Sequence, residues 1–255
     1  MSQVSWDYGT LATEIYEQDK PIGHSFGDVE YYRQLLAGVT GRILEPAVGT
    51  GRMLIPLLEA GLEVEGFDTS PEMLELCRAH CRDRGLDPVL RQGDMTTFAE
   101  PAAFAAVIVP TGTIALLDGR ADTLRALACF RECLAPSGRL LVDLDPPPEP
   151  GHETDPEPMR HWRSGPYLWT LQVHHIEYDP AARQTTRWLR YEKWDDGVLA
   201  ATELQLFRLQ HWGLGEFTDL LTEAGFTGVT VTADYRDDGR PGPASGIWTF
   251  RASRP

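Results

Sequence analysis

From residue 42 the chain alternates short apolar runs with longer amphipathic segments. The apolar runs predict strands at 42–45, 63–67, 89–91, 105–109 and 139–144, and the segments between them predict helices at 52–60, 71–84 and 123–134. The helix ends carry their own signals: 52–60 stops before Gly61, 71–84 before Gly85, and the third near Pro136 and Gly138. Ser70-Pro71 is a strong start, because the hydroxyl can cap the first turn and proline suits the first helical position. Strands alternating with helices in this way imply repeated βα units around a parallel sheet.

Both flanks depart from that rhythm. Two helices are expected in the first forty residues, at 11–16 and 29–37, joined by the turn-forming stretch Lys20-Pro21-Ile22-Gly23-His24-Ser25-Phe26-Gly27. After residue 144 comes Asp145-Pro146-Pro147-Pro148-Glu149-Pro150, and the chain stays proline-rich as far as Pro158. Prolines lack the N–H that a sheet or helix interior needs, so a loop or lid is expected. Strand-like runs at 167–178, 185–194 and 198–209 follow, separated by Asp179-Pro180 and Asp195-Asp196-Gly197, which suit hairpins. Tyr167, Trp169, Leu171 and Val173 alternate onto one face, predicting an antiparallel layer with one apolar side, packed over the mouth of the parallel sheet. A helix at 214–224, closed by Gly225, and strands at 228–235 and 247–251 end the chain. The expected organisation is a single domain: a helical cover over 1–40, a core over 41–145, a lid and antiparallel layer over 146–210, and a final helix with two strands over 211–255. No internal repeat is evident.

Composition narrows the field. With 255 residues, 42% of them hydrophobic, the chain can bury one large core. Its 38 acidic against 23 basic residues give a net charge of -15, which repels a phosphate backbone. Arg183, Arg187 and Arg190 are interleaved with Glu177, Asp179, Glu192, Asp195 and Asp196, so no basic stripe reverses that field, and nucleic acid is not expected as a partner. A signal-like terminus and a bilayer-length apolar run are both lacking, which points to a cytoplasmic protein without a membrane partner. The cysteines form two pairs at helical spacing, Cys77 with Cys81 and Cys129 with Cys133. They are read as small core-facing hydrophobes of a reduced protein in preference to a redox or metal site, and no metal is expected.

The chemistry concentrates in Ile43-Leu44-Glu45-Pro46-Ala47-Val48-Gly49-Thr50-Gly51-Arg52, where a buried strand turns into a helix. Gly49 and Gly51 allow a tight turn whose backbone approaches a ligand. About twenty residues on, Asp68 ends the second strand, the spacing at which an acid in such folds reaches a ribose. Asp94 follows the third strand in Gly93-Asp94-Met95. Any one of these could be an ordinary exposed acid. Glu45, Asp68 and Asp94 at three successive strand ends instead suggest acceptors for an adenosine and an ammonium group. A dinucleotide-binding dehydrogenase would want a third glycine where Leu54 stands.

These motifs resemble those of the class I S-adenosylmethionine (SAM)-dependent methyltransferases. The turn from Glu45 to Arg52 is similar to their first motif, Phe67-Asp68 to the ribose-binding position, and Gly93-Asp94-Met95 to the adenine-binding position. The resemblance implies an α/β fold with a doubly wound, Rossmann-like seven-stranded sheet, and SAM as cofactor. Gly49 and Gly51 would line its methionine part, Asp68 with Thr69 its ribose, and Asp94 with Met95 its adenine. Glu45, Ala47 and Arg52 complete the turn, with Ala47 standing where the family often has its first glycine. Pro110-Thr111-Gly112-Thr113, after the fourth strand, would pass near the reacting methyl, and Tyr16 resembles an aromatic that covers the site in many relatives.

The helical cover, core and inserted antiparallel layer together are similar to bacterial small-molecule methyltransferases, amino-sugar N-methyltransferases among them. This chain differs in having prolines after the fifth strand where those enzymes have aromatics. An amine is the favoured acceptor, with an alcohol or phenol as the alternative enzyme reading and a non-catalytic SAM-binding module as the alternative to an enzyme. A homodimer is compatible with the sequence. The catalytic candidates are Asp145, to hold the acceptor or take a proton, Tyr16, and His24 in the N-terminal loop; Tyr16 and Asp145 also have a purely structural reading. His174-His175 are adjacent in a strand and expected on opposite faces, and His211 beside Trp212 reads as a packed histidine. Asp145-Pro146-Pro147 follows the wrong strand for the Asp-Pro-Pro-aromatic motif of base methylation, and Pro148 replaces the aromatic.

Overall fold

The computed structural model describes residues 8–155, 157–242 and 244–255. Five parallel strands form its centre: β1 (Ile43–Pro46), β2 (Val64–Asp68), β3 (Leu90–Gln92), β4 (Phe104–Val109) and β5 (Leu134–Leu144). With β10 (Thr227–Ala233) and β11 (Trp248–Ser253) they make a seven-stranded sheet in the order β10-β11-β5-β4-β1-β2-β3. Only β11 runs antiparallel to both its neighbours. The chain builds outward from β1 to β3, then returns to place β4 on the other side of β1. The order therefore reverses between β1 and β4, and the crevice at their carboxyl ends is where such sheets hold ligands.

Burial on both faces explains why the central strands read as continuous apolar runs. In β4, Val107 and Val109 join a core with Leu127 and Phe130 of α5 (Gly119–Cys133) and Phe217 and Leu220 of α6 (Leu214–Glu223). Ala106 and Ile108 point the other way, onto Leu54 and Leu57 of α3 (Leu54–Glu59), Cys77 and Cys81 of α4 (Pro71–Asp83), and Tyr32 of α2 (Asp28–Leu35). Cys77, Cys81 and Cys133 are buried, Cys129 is partly buried, and all four thiols are free. Ser70 caps α4 as expected, its hydroxyl accepting from the Met73 N–H at 3.2 Å.

Several boundaries differ from the sequence reading. The first core helix begins at Leu54, because Gly51 at φ +91° keeps the chain in a turn beyond it. The helix expected from 123 begins at Gly119, and a short 3₁₀ turn, Thr113–Leu116, precedes it. β5 begins at Leu134 with an irregular register around Ser137, whose φ is +63°.

The second sheet has four antiparallel strands, β6 (Arg160–Ser164), β7 (Tyr167–Asp179), β8 (Gln184–Asp195) and β9 (Val198–Gln210), paired in that order. β6 was not expected: it is an edge strand whose one aromatic, Trp162, stands among polar residues, so it has no alternating signature. Trp169, Leu171, Leu189 and Tyr191 form the apolar side of this sheet. They close on Leu11, Ala12 and Ile15 of α1 (Thr10–Asp19), so most of the layer rests on the N-terminal helix and not directly on the parallel sheet. A register shift between Val173 and His175 interrupts β7, and His174 and His175 are both exposed.

Candidate active site

The turn after β1 is wound tightly. Ala47, Gly49 and Gly51 all have positive φ, at +53°, +55° and +91°. A Cβ on Gly51 would lie 2.8 Å from Cys77 Sγ, so this glycine lets α4 approach the turn. A Cβ on Gly49 would meet nothing within 4 Å, because that residue faces open space. The turn is tied to the next strand by Asp68, whose Oδ2 accepts from the Gly49 N–H and whose Oδ1 accepts from the Ser70 N–H, both at 2.9 Å.

That open space is a cavity of about 370 Å³ at the carboxyl ends of β1, β2 and β3. Of the residues singled out from sequence, Tyr16, Ala47, Gly49, Asp68, Thr69, Asp94 and Met95 line it together. Asp94 is exposed and shapes its own loop, accepting from the Thr96 N–H at 2.6 Å. Thr113, at the end of the segment expected near the reacting methyl, lines the cavity too, whereas Tyr8, Leu117 and Phe207 are lining residues that were not anticipated. Tyr8 and Tyr16 meet edge to face with ring centroids 5.7 Å apart. Burial raises the Tyr16 hydroxyl above the ordinary phenol range despite the opposing charge of Arg52, so it stays protonated near neutrality.

The other candidates stand elsewhere. Glu45 is 3% exposed, and its Oε2 has no hydrogen-bond partner among the described residues. Burial holds its carboxyl well above the ordinary range. Arg52, 4% exposed, does not line the cavity: it donates to Asp28 Oδ2 at 2.5 Å, Asp28 Oδ1 at 3.2 Å and the His24 carbonyl at 3.1 Å. Burial works to raise the Asp28 carboxyl, but the hydrogen bonds and charge of Arg52 outweigh it, so it lies below the usual range. Arg52 thereby fastens the glycine turn to the start of α2. His24 does not line the cavity either, since its ring packs edge to face on Phe26 at 4.6 Å. Pro110 is buried, and Thr111, at φ +54°, turns its N–H onto Asp143 Oδ2 at 2.9 Å.

Asp145 does not line this cavity. It lines a second cavity of about 550 Å³ with the proline loop and β7 to β9. The two cavities share the segment after β4, Thr113 and Leu116 facing the first and Ala115 the second, and they share β9, Phe207 facing the first and Leu209 the second. At the head of that shared segment Gly112 packs closely on Asp145: a Cβ there would lie 2.7 Å from Asp145 Oδ2. Behind it is a group the sequence reading passed over. Asp143, fully buried, accepts from the Thr111 N–H at 2.9 Å, the Thr249 hydroxyl at 2.8 Å and the Tyr235 hydroxyl at 3.1 Å. Burial pushes its carboxyl up to about 6 against those hydrogen bonds. An acid inside the apolar run Leu140-Leu141-Val142-Asp143-Leu144 was the available signal.

Residues 43–138, from β1 into β5, match a family model described as a methyltransferase domain. The chain thus contains a methyltransferase domain, and it resembles the class I SAM-dependent methyltransferases. It is 31% identical over 146 residues to dTDP-3-amino-3,6-dideoxy-alpha-D-glucopyranose N,N-dimethyltransferase of Streptomyces fradiae, over 54% of each chain. It is 38% identical over 113 residues to demethylmenaquinone methyltransferase of Thermus thermophilus, over 43% of this chain and 50% of that protein. The alignments thus span about half the length of these two curated relatives. Among solved structures, the CcbJ methyltransferase of Streptomyces caelestis superposes with a TM-score of 0.76 at 20% identity, covering 97% of this chain and 98% of that one. The SAM-bound amino pentose methyltransferase CalS10 of Micromonospora echinaspora gives 0.70 at 22% identity, covering 99% and 100%. At these identities the two structures bear on the fold.

The residues of this methyltransferase fit its cofactor, SAM. Asp68 and Asp94 offer oxygens to ribose hydroxyls and an exocyclic amine, Gly49 leaves room for a ligand beside its backbone, and Glu45 Oε2 is a buried acceptor with an unmet need for a donor.

Proposed function

We propose that this methyltransferase moves the methyl group of SAM to an amine nitrogen of a small molecule, an amino sugar or another natural-product intermediate, in the cytoplasm. The supporting observation is the placement of Asp145: it lines a second, carboxylate-rich cavity and packs against Gly112, in the segment whose next residues also wall the cofactor cavity. SAM supplies an electrophilic methyl on a leaving group that is already activated, so an unprotonated amine in line with it needs little beyond alignment.

Each residue then has a task. Asp68, Thr69, Asp94 and Met95 hold the cofactor from the cavity wall, Tyr16 with Tyr8 roofs it against water, and Glu45, buried outside the lining, keeps an acceptor without a partner among the described residues. Asp145 is exposed, yet the protein packed around it partly desolvates the carboxylate and raises it above the ordinary range, against the charges of Arg187 and Lys20. A carboxylate so raised can hold the acceptor's ammonium and relieve it of a proton. His211, 8% exposed and hydrogen-bonded to the Thr185 hydroxyl at 2.6 Å, is pushed down to about 4 by burial and by Arg187 and Arg183, so it is a neutral wall at physiological pH. The pattern of N-methyltransferases among the relatives supports the amine reading. The test is transfer of a carbon-13 methyl group from SAM to a panel of amines, alcohols and phenols. An N-methyl resonance is expected, with kcat/KM reduced about a hundredfold or more in Asp145→Asn; an O-methyl product would refute the amine assignment.

A further inference from the structure

The curated relatives named as acting on dTDP-linked amino sugars take substrates that carry a diphosphate. A pocket for such a group needs cations free to meet it. The second cavity is built the other way. Asp145, Glu153, Asp155 and Glu157 supply four carboxylates to its lining, and Arg187 supplies its one Arg or Lys. Arg187 is paired through one terminal nitrogen, 2.7 Å from Glu157 Oε1, and keeps a buried Nε without a hydrogen-bond partner among the described residues, so a single half-engaged cation faces four carboxylates. His152 likewise spends Nδ1 on Asp155 at 2.8 Å, and His211 is bound to Thr185 and neutral. Lys20, which also acts on Asp145, stands over the Tyr16 ring at 5.2 Å, outside the lining. The remaining wall is uncharged: Ile176, Leu209 and the prolines that follow Asp145 give it apolar surface, and Thr185, Gln210 and Ser245 add neutral polar groups.

Resting on the amine reading above, we propose that this cavity takes an acceptor bearing a cationic amine and no phosphate, such as an amino sugar already joined to a neutral partner. The cavity's size, about 550 Å³, suits a drug-sized molecule. Apolar walls would cover the neutral part, and the carboxylates would draw the ammonium toward Asp145. A diphosphate in the same place would face like charges in a partly desolvated site, an arrangement that selects against it. The class of reaction that precedes this one is therefore transfer of the amino sugar from its nucleotide to an acceptor, so that methylation follows attachment.

The test uses the full chain saturated with S-adenosylhomocysteine and two calorimetric probes: thymidine diphosphate, and a set of amino-sugar glycosides with neutral methyl and aryl aglycones. Binding of at least one glycoside is expected, weakened about tenfold in Glu153→Gln/Asp155→Asn, one position half-buried and the other exposed, where folding is checked by an unchanged Tm. No heat is expected from thymidine diphosphate at millimolar concentration. Tight binding of thymidine diphosphate, turnover of a dTDP-amino sugar in preference to the glycosides, or failure of every glycoside to bind would overturn the proposal. An O-methyl product from a bound glycoside would instead sink the amine reading, and the diphosphate titration would still judge the cavity.

Discussion

Gly49 and Gly51 share a positive φ and differ in what surrounds them, which separates two roles inside one motif. A side chain at Gly51 collides with Cys77, so Gly51→Ala is expected to cost about 2 kcal/mol or more, read as a fall in Tm with cofactor affinity secondary. At Gly49 the added methyl meets no protein atom and enters the cavity. Gly49→Ala is therefore expected to lose about 1–2 kcal/mol to backbone strain and to raise the Kd for S-adenosylhomocysteine disproportionately in calorimetry. Asp143 yields a prediction in pH. Its folded value, raised from 3.8 to about 6, means that its contribution to stability is full below about 4 and is lost as pH rises to about 6. Asp143→Asn, which cannot ionise, should be less stable overall and show a flatter Tm profile across that window. The sequence exposed the glycines and Asp68 because their spacing is a motif. It concealed Asp143, whose importance comes from hydroxyls at positions 235 and 249 that only folding brings near.

At the level of elements, α1 has no side-chain cap of its own; Glu203 of β9 accepts from the Leu11 N–H at 3.0 Å, and Lys193 of β8 pairs with Glu14 at 2.5 Å. The cover is thus held by the second sheet. Truncating Ile15, 1% exposed in the shared cluster, should cost about 2–5 kcal/mol locally. In Ile15→Ala, hydrogen exchange is expected to quicken across α1 while β4 and β5 keep their protection; equal acceleration everywhere would show that cover and core unfold together. Strands buried on both faces were legible as apolar runs, and the hairpins as turn chemistry. Alternation in β7 revealed that the layer has an apolar side but not what it faces, since a period of two carries no information about a partner. β6 left no trace because its pairing is made by backbone groups under polar side chains.

For the molecule as a whole, the reversal of strand order at β1 and β4 gathers three strand ends around one cavity, and the family motif already implied that arrangement. Binding there should stabilise the entire fold. S-adenosylhomocysteine at about a hundred times its Kd is expected to add about 2.7 kcal/mol, a Tm increase of about 5–10 °C, and Asp68→Ala should abolish most of it at the same concentration. Among the described residues no helix is long and apolar enough to cross a membrane. The second cavity was not legible, since it is assembled from a proline loop and three strands distant in sequence.

The meeting of Gly112 and Asp145 carries a kinetic consequence. Two chambers that adjoin there must both be filled before the methyl can cross. Initial rates should follow a ternary-complex scheme in which S-adenosylhomocysteine competes with SAM yet is noncompetitive against the acceptor; a ping-pong pattern would mean that the methyl group is parked on the protein between two half-reactions.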